Sequence, residues 1–404
     1  MHAIAAAPRR IDLGNARPQE IASRLSREKG FLFLDSAIGP APRGGQESRE
    51  GSISILSAHP RQIIHGNLGH PAELRNALQA GATREAVADW GIPLGGAFGT
   101  VEFDGNFLFG LYDDLLLFDH SQGEWYQVGN GGSLLEALPG APPDTPPGNL
   151  SFEFEMGREP FCAMVRRAQE YIAAGDIYQV SLSHRASAPW RDAPGAAWAF
   201  YRALRCASPT PQGAFIELGA STVLCASPEC FLRISGNLVS TRPIKGTRPR
   251  FSDPDHDERS AYDLLTSSKE IAELVMITDL ERNDLGRICK YGSIHVPELL
   301  VLERFAQVFH LVSTVEGEVR RGIDHLEVLC ACFPGGSISG APKKRALEII
   351  DELEVRPRGL YTGAIGYFGY NGESQFNIAI RTALIDPSRR EIHFHVGAGI
   401  VADS

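Results

Sequence analysis

The C-terminal third of the chain is a series of apolar, β-branched and aromatic stretches separated by breaks too short to hold a crossover. The stretches YTGAIGYFGY, ESQFNIAIRTALID and EIHFHVGAGIVA follow one another across Tyr370-Asn371-Gly372 and Pro387-Ser388. Short breaks of turn-forming residues close hairpins, so these strands pair antiparallel, whereas a parallel pair needs a connection of a dozen or more residues. The same pattern occurs in GGAFGTVEFDGNFLFGLYDDLLLFD, hinged at Asp104-Gly105-Asn106, and in FLRISGNLVSTRPIKGTRPR, about Gly236-Asn237. A doubly wound parallel sheet is thereby disfavoured.

Helical periodicity sits between these strands. FCAMVRRAQEYIAAGD places Phe161, Met164, Val165, Ala168, Tyr171 and Ile172 on one stripe and stops at Gly175. Further helices are predicted between His70 and Asp89, over one long span from about Asp257 to Leu280, and from Pro342 to Leu353. The stretch LPGAPPDTPPGN, Leu138 to Asn149, packs five prolines into twelve residues and reads as a linker between an N-terminal region, 1–137, and a larger region, 150–404.

Composition bounds the function classes. The 404 residues are 43% hydrophobic and 22% charged, which is globular and large enough for two or three domains or one intertwined body. With 39 Lys and Arg against 49 Asp and Glu, the net charge of -10 disfavours non-specific binding to nucleic acid or to an anionic membrane. An anionic substrate must therefore meet a local cationic site. Seven cysteines without CxxC spacing indicate neither a disulfide framework nor a zinc site. The start, MHAIAAAPRRIDLG, is too short in apolar residues for a signal-peptide core, and no window approaches the ~20 apolar residues of a membrane span. The expected compartment is the cytoplasm.

Five places in the sequence could carry chemistry. In SSKEIAELVMITDLERND, Glu270 and Glu273 share a helix face, with Leu274, Val275, Met276 and Ile277 supplying apolar contacts. Such a pair suits Mg²⁺, a hard ion that takes one or two carboxylates and completes its shell with water and substrate oxygens, and equally suits a solvated acidic face. In CFPGGSISGAPKKRALEIIDELE, small residues precede a helix with Pro342 in its first turn, a place where backbone amides can meet a carboxylate or phosphate, or simply a glycine-rich cap. Lys245, between a strand and a turn and flanked by Arg242 and Arg248, is either an amine made nucleophilic by neighbouring cations or part of an anion-binding loop. Glu229 in ASPEC could serve as a protonated acid if buried, and His310 as a general acid or base or a structural histidine. No GxSxG, HExxH or GxGxxG motif is present.

Taken together, these stretches resemble the chorismate-utilising enzymes, the family of anthranilate synthase component I, aminodeoxychorismate synthase component I, isochorismate synthase and salicylate synthase. The resemblance runs from about Phe161 to Ser404 through SKEIAELVMITDLERNDLGRI, PGGSISGAPKKRALEII, RGLYTGAIGYFGY, FNIAIRTA and VGAGIVADS, in that order. It implies an α+β fold, a two-layer core of antiparallel sheets with helices outside. Two positions point within the family. Lysine in PIKGT, Lys245, resembles aminodeoxychorismate synthase, where this amine is understood to add to ring carbon C2. Gln179 in IYQVSLS stands where water-adding members carry a lysine base.

The resemblance implies catalytic roles for Lys245, Glu229, His310 and Thr247, with Glu229 protonating the departing C4 hydroxyl. It implies Glu270 and Glu273 as Mg²⁺ ligands, and Gln179, Ser337, Gly340, Ala341, Tyr361, Arg381, Gly397, Ala398 and Gly399 around the substrate. Arg381 would be a fixed countercharge for a dianion. FLFLDSA resembles the segment lining an amino-acid pocket, with Asp35 and Ser36 in its polar positions. The implied activity is a transferase reaction, chorismate plus ammonia to 4-amino-4-deoxychorismate for para-aminobenzoate and folate synthesis, with ammonia from a glutamine amidotransferase subunit. Anthranilate synthase component I and a non-catalytic chorismate-binding subunit are the alternatives. Family members continue past GAGIVADS into a helix with further acidic ligands, so the catalytic region is expected to be truncated at Ser404 and to hold Mg²⁺ loosely.

Overall fold

The computed structural model describes residues 7–37, 52–82, 91–129, 132–136, 148–305 and 307–404. The proline-rich stretch falls almost wholly outside the described residues, as does the end of the helix expected before Asp89. That helix is seen over Ala72–Gly81. The chain forms two compact units, and neither is one continuous stretch.

The first unit comprises Met1–Glu155, Arg185–Pro228 and Arg358–Val396. One of its sheets orders the strands Arg9–Ile11, Glu124–Val128, Leu115–Asp119, Ile53–Ser57, Leu32–Asp35, Gln212–Ile216, Thr222–Ser227 and Thr382–Asp386, with the start of Glu391–Ile400 beside the last. The other orders Glu373–Ile378, Ala364–Gly369, Gly96–Val101, Asn106–Tyr112 and Gln62–Asn67. Neighbouring strands pair antiparallel, and the hairpins at Gly105 and Gly372 close as their turn residues require.

Strand alternation explains why FLFL (31–34) and LLLF (115–118) are apolar without interruption. Leu32, Leu115, Leu117, Ala214 and Ile216 face a core shared with Phe98, Tyr112, Ile365 and Tyr367 of the other sheet. Their sequence neighbours Phe33, Leu116 and Phe215 point the opposite way, against Ile21 and Leu25 of the helix Pro18–Leu25 and Trp198 and Tyr201 of the helix Ala196–Ala207. A strand buried on both faces has no polar side to show.

The second unit comprises Met156–His184, Glu229–Pro357 and Gly397–Ser404. Its strands Cys230–Ser235, Leu238–Arg242, Val308–Glu318 and Ile244–Pro249 lie in that order, and His295–Arg304 also pairs with Val308–Glu318. The hairpin about Gly236-Asn237 is present. The helix Arg158–Ala173 ends just before Gly175 as its pattern predicts.

The single helix expected from Asp257 to Leu280 is instead two, Pro254–Leu265 and Ser268–Gly286. The apolar period runs through the break, but Ser267 caps the second helix, its hydroxyl accepting from the Glu270 N–H at 3.4 Å. Ala261, Leu264 and Leu274 from the two helices pack on Phe309 and Leu311. Val275, expected to contribute an apolar contact, is exposed. Pro342 occupies the N-cap of the helix Lys343–Leu353 and not its first turn, because the preceding Gly340–Ala341 is extended and pairs with Gln179 and Val180. The fold class is α+β with antiparallel sheets. Among the described residues no helix is long and apolar enough to cross a membrane.

Candidate active site

Lys245 sits inside the strand Ile244–Pro249, not at its junction with a turn. The strand is bulged there: Lys245 is opposite Leu311 and Thr247 opposite His310, so Gly246 is an extra residue, with φ at +76°. A bulge re-aims the side chains beside it, and glycine adopts that φ without a Cβ penalty. Lys245 Nζ donates to the Ser337 carbonyl oxygen at 2.9 Å.

The flanking arginines do not stand as uncompensated cations beside the amine. Arg242 is buried, donating to Thr314 Oγ1 at 3.0 Å and to Glu303 Oε1 at 2.7 Å, with Glu298 at 3.4 Å. Arg248 pairs with Glu270 at 3.3 Å. The expected source of activation for Lys245 is therefore matched by carboxylates.

Thr247 Oγ1 and His310 Nδ1 are 3.0 Å apart, and the Phe305 and His310 rings pack in a T-shaped arrangement with centroids 5.4 Å apart. His310 is 2% exposed and Glu229, immediately before the strand Cys230–Ser235, is 5% exposed. Both are thus shielded from bulk water, the condition under which an acid or base is tuned by its neighbours.

Gln179 opens the strand Gln179–Pro189 and is fully buried, with neither amide nitrogen nor amide oxygen given a protein partner. A Cβ at Gly399 would lie 2.3 Å from Gln179 Nε2, so a larger residue there must displace the end of that side chain. Gly340 and Ala341 pair with Val180 and Gln179, and Ser337 is buried in the short 3-10 turn Gly336–Ile338 just before them. Gly397 and Ala398 are exposed near the end of the strand Glu391–Ile400.

Glu270 lies in the first turn of the helix Ser268–Gly286, with half-buried Glu273 one turn on. Negative side chains are favoured there by the helix dipole. No group of three or more His, Cys, Asp or Glu side chains among the described residues could hold a metal ion alone. Two carboxylates fit Mg²⁺ when substrate oxygens and water complete the shell, provided Arg248 releases Glu270.

Further down the same helix, sequence reasoning missed Glu281 and Asp284. Both are buried, and burial is the main cause raising each carboxyl, that of Glu281 to about 7. Lys343 pairs with Asp284 and donates to the Cys332 and Pro334 carbonyls at 2.9 and 2.8 Å. The signal was there in the spacing: Glu270, Glu273, Ile277, Glu281 and Asp284 follow three- and four-residue steps along one face.

Tyr361, Arg381, Asp35 and Ser36 belong to the first unit. The Tyr361 ring stacks on His395 with centroids 5.2 Å apart. Arg381 is exposed, its Nη1 donating to Ser208 Oγ at 3.5 Å and its φ at +50°, a conformation that costs a side-chain-bearing residue and is over-represented at functional positions. Asp35 is buried beneath Arg205 Nε at 2.5 Å and Tyr201 Oη at 3.1 Å; burial pushes its carboxyl up while Arg205 pulls it down. Ser36 Oγ lies 2.9 Å from the Ile53 carbonyl and 3.2 Å from that of Pro211. Both polar residues of the expected amino-acid pocket are thus engaged within the protein.

The family described as chorismate binding enzyme matches residues 69–404. Anthranilate synthase component 1 of Thermus thermophilus is 46% identical over 271 residues, 67% of this chain and 58% of that one. Aminodeoxychorismate synthase component 1 of Bacillus subtilis is 45% identical over 254 residues, 63% of this chain and 53% of that one. The matched stretch thus spans little more than half the length of these relatives. The crystal structure of anthranilate synthase component I from Streptococcus pneumoniae superposes with a TM-score of 0.77 at 30% identity, covering 90% of each chain. With the fold and more than half of the chain matched, this protein belongs to the chorismate binding enzyme family.

Proposed function

We propose that the chain catalyses amination of chorismate at C4, the aminodeoxychorismate synthase component I reaction. The observation that carries this reading is the lysine amine of Lys245, aimed by a strand bulge and held by the Ser337 carbonyl, on the same strand as exposed Thr247, whose hydroxyl meets buried His310. An amine whose direction is fixed by a carbonyl acceptor is placed for attack once its lone pair is free.

In this reading the Lys245 amine adds to C2 of the ring, the double bonds shift toward C4, and the C4–O bond breaks. Glu229 delivers a proton, so the oxygen leaves as water rather than as hydroxide. The added nitrogen sheds a proton, which by way of solvent restores the acid form of Glu229. Ammonia then adds at C4, the double bonds shift back, and the C2–N bond breaks; a proton lost by the incoming nitrogen balances the returning amine. The net change is chorismate plus ammonia to 4-amino-4-deoxychorismate plus water. His310, oriented by Thr247, would steer the C4 substituent.

Glu270 and Glu273 would hold Mg²⁺, which supplies positive charge to the ring carboxylate when bound. Gln179, whose amide cannot serve as a base, favours amination over addition of water. Ser337, Gly340, Ala341 and Gly397 to Gly399 would receive the substrate carboxylates. Ammonia would come from a glutamine amidotransferase partner. Anthranilate formation is the second reading, favoured by the identity to the Thermus thermophilus enzyme.

Incubation with chorismate and Mg²⁺ without ammonia tests the covalent step. Peptide mass spectrometry should find chorismate less one water on the peptide carrying Lys245. An unmodified Lys245 under conditions that support turnover once ammonia is added would reject it.

A further inference from the structure

Glu281 has no part in the chemistry above, yet it is 3% exposed in the helix Ser268–Gly286. One carboxyl oxygen accepts from the Gly336 N–H at 3.1 Å, and the other lies 3.3 Å from Thr241 Oγ1. Gly336 opens the 3-10 turn Gly336–Ile338, and the next residue supplies the carbonyl that accepts from Lys245 Nζ at 2.9 Å. The rest of the segment is tied as well: Lys343 holds the Cys332 and Pro334 carbonyls, and Ser339 Oγ donates to the Gly335 carbonyl at 2.9 Å.

A leucine at this position would avoid the cost of burying a carboxyl group but would leave the Gly336 N–H without its acceptor. Burial is the main cause lifting the Glu281 carboxyl to about 7; Asp284 and Glu229 push the same way, and Lys343 and the Gly336 N–H push against. Either protonation state keeps an oxygen that can accept from Gly336.

We propose that Glu281 is a positioning residue for the Lys245 amine, acting through the Gly336–Ile338 turn and the Ser337 carbonyl. The proposal rests on the reading of Lys245 as nucleophile, but its own readout does not depend on turnover. Glutamine at 281 keeps an acceptor oxygen of the same reach; leucine keeps the volume and loses the acceptor.

Acetic anhydride labelling of Lys245, measured by peptide mass spectrometry against exposed Lys29, reports the environment of the amine directly. Glu281→Leu should change the Lys245 to Lys29 ratio by about threefold or more and lower kcat roughly tenfold with a smaller change in KM. Glu281→Gln should stay within about twofold of the parent in both readouts, the rescue expected when the acceptor oxygen is what matters. A folded leucine variant with the parent labelling ratio would overturn the proposal. Should the leucine variant fail to fold, Thr241→Val carries the test, with a shift in the ratio expected and an unchanged ratio contradicting it. Retained activity of Lys245→Ala would instead reject the nucleophile reading, whatever the labelling shows.

Discussion

Lys245 Nζ lies 2.9 Å from the carbonyl oxygen of Ser337, a residue 92 positions further along the chain. The contact joins the bulged strand that carries the amine to the turn that precedes Gly340 and Ala341. It gives the amine a direction that an isolated basic loop would lack.

Removing that amine should abolish the proposed chemistry while leaving the fold. Lys245→Ala should lower formation of aminodeoxychorismate on the order of 10²-fold or more, the usual scale for loss of a group acting on reacting atoms. Lys245→Arg should be no better, since a guanidinium keeps its proton and offers no lone pair. Steady-state rates and melting curves of the three proteins check this, the melting temperatures being expected to agree.

Gly399 and Gln179 should be coupled. A methyl group at 399 would fall 2.3 Å from Gln179 Nε2, so Gly399→Ala must displace the amide or the strand, costing about 1–3 kcal/mol by overpacking. Adding Gln179→Ala should recover part of that loss. Urea denaturation of both single variants and the double variant measures the coupling, and strict additivity would place the clash elsewhere.

In the first unit, Asp35→Ala would leave Arg205 and Tyr201 facing a cavity in place of their carboxylate partner. Breaking a buried pair by removing one side typically costs about 3–5 kcal/mol. Thermal and urea unfolding should both show the loss.

Glu281 should make stability depend on pH, with a sign fixed by its raised carboxyl. The fold favours the protonated form, so the penalty is absent below the ordinary glutamate value, grows as pH rises to about 7, and is constant above. The groups facing it are Lys343, Asp284, Glu229 and the Gly336 N–H. Glu281→Gln should therefore be more stable than the parent at pH 8, with the advantage fading towards pH 4.5. Unfolding curves at the two pH values check it; a constant difference would show that Glu281 does not titrate in this range.

The antiparallel hairpins were legible in the sequence because alternation and turn chemistry are local properties. So was the apolar continuity of Phe31 to Leu34, although not that Phe33 and Leu32 serve opposite cores. The helix break at Ser267 was missed because the apolar period continues across it, and the cap shows only in the pairing of its hydroxyl with the Glu270 N–H. Arg242 read as a cation beside Lys245 because its partners Glu298 and Glu303 lie 56 and 61 residues away. Glu281 escaped for the same reason: Gly336 and Thr241, which give its carboxyl a purpose, are 55 and 40 residues distant. Residue type and local spacing identify candidates, whereas compensation between charges is set by tertiary contacts.

The most direct test is the product made from chorismate, ammonium and Mg²⁺, resolved by chromatography with pyruvate assayed in parallel. The expected result is accumulation of 4-amino-4-deoxychorismate without release of pyruvate. Anthranilate accompanied by an equal amount of pyruvate would contradict it and assign amination to C2.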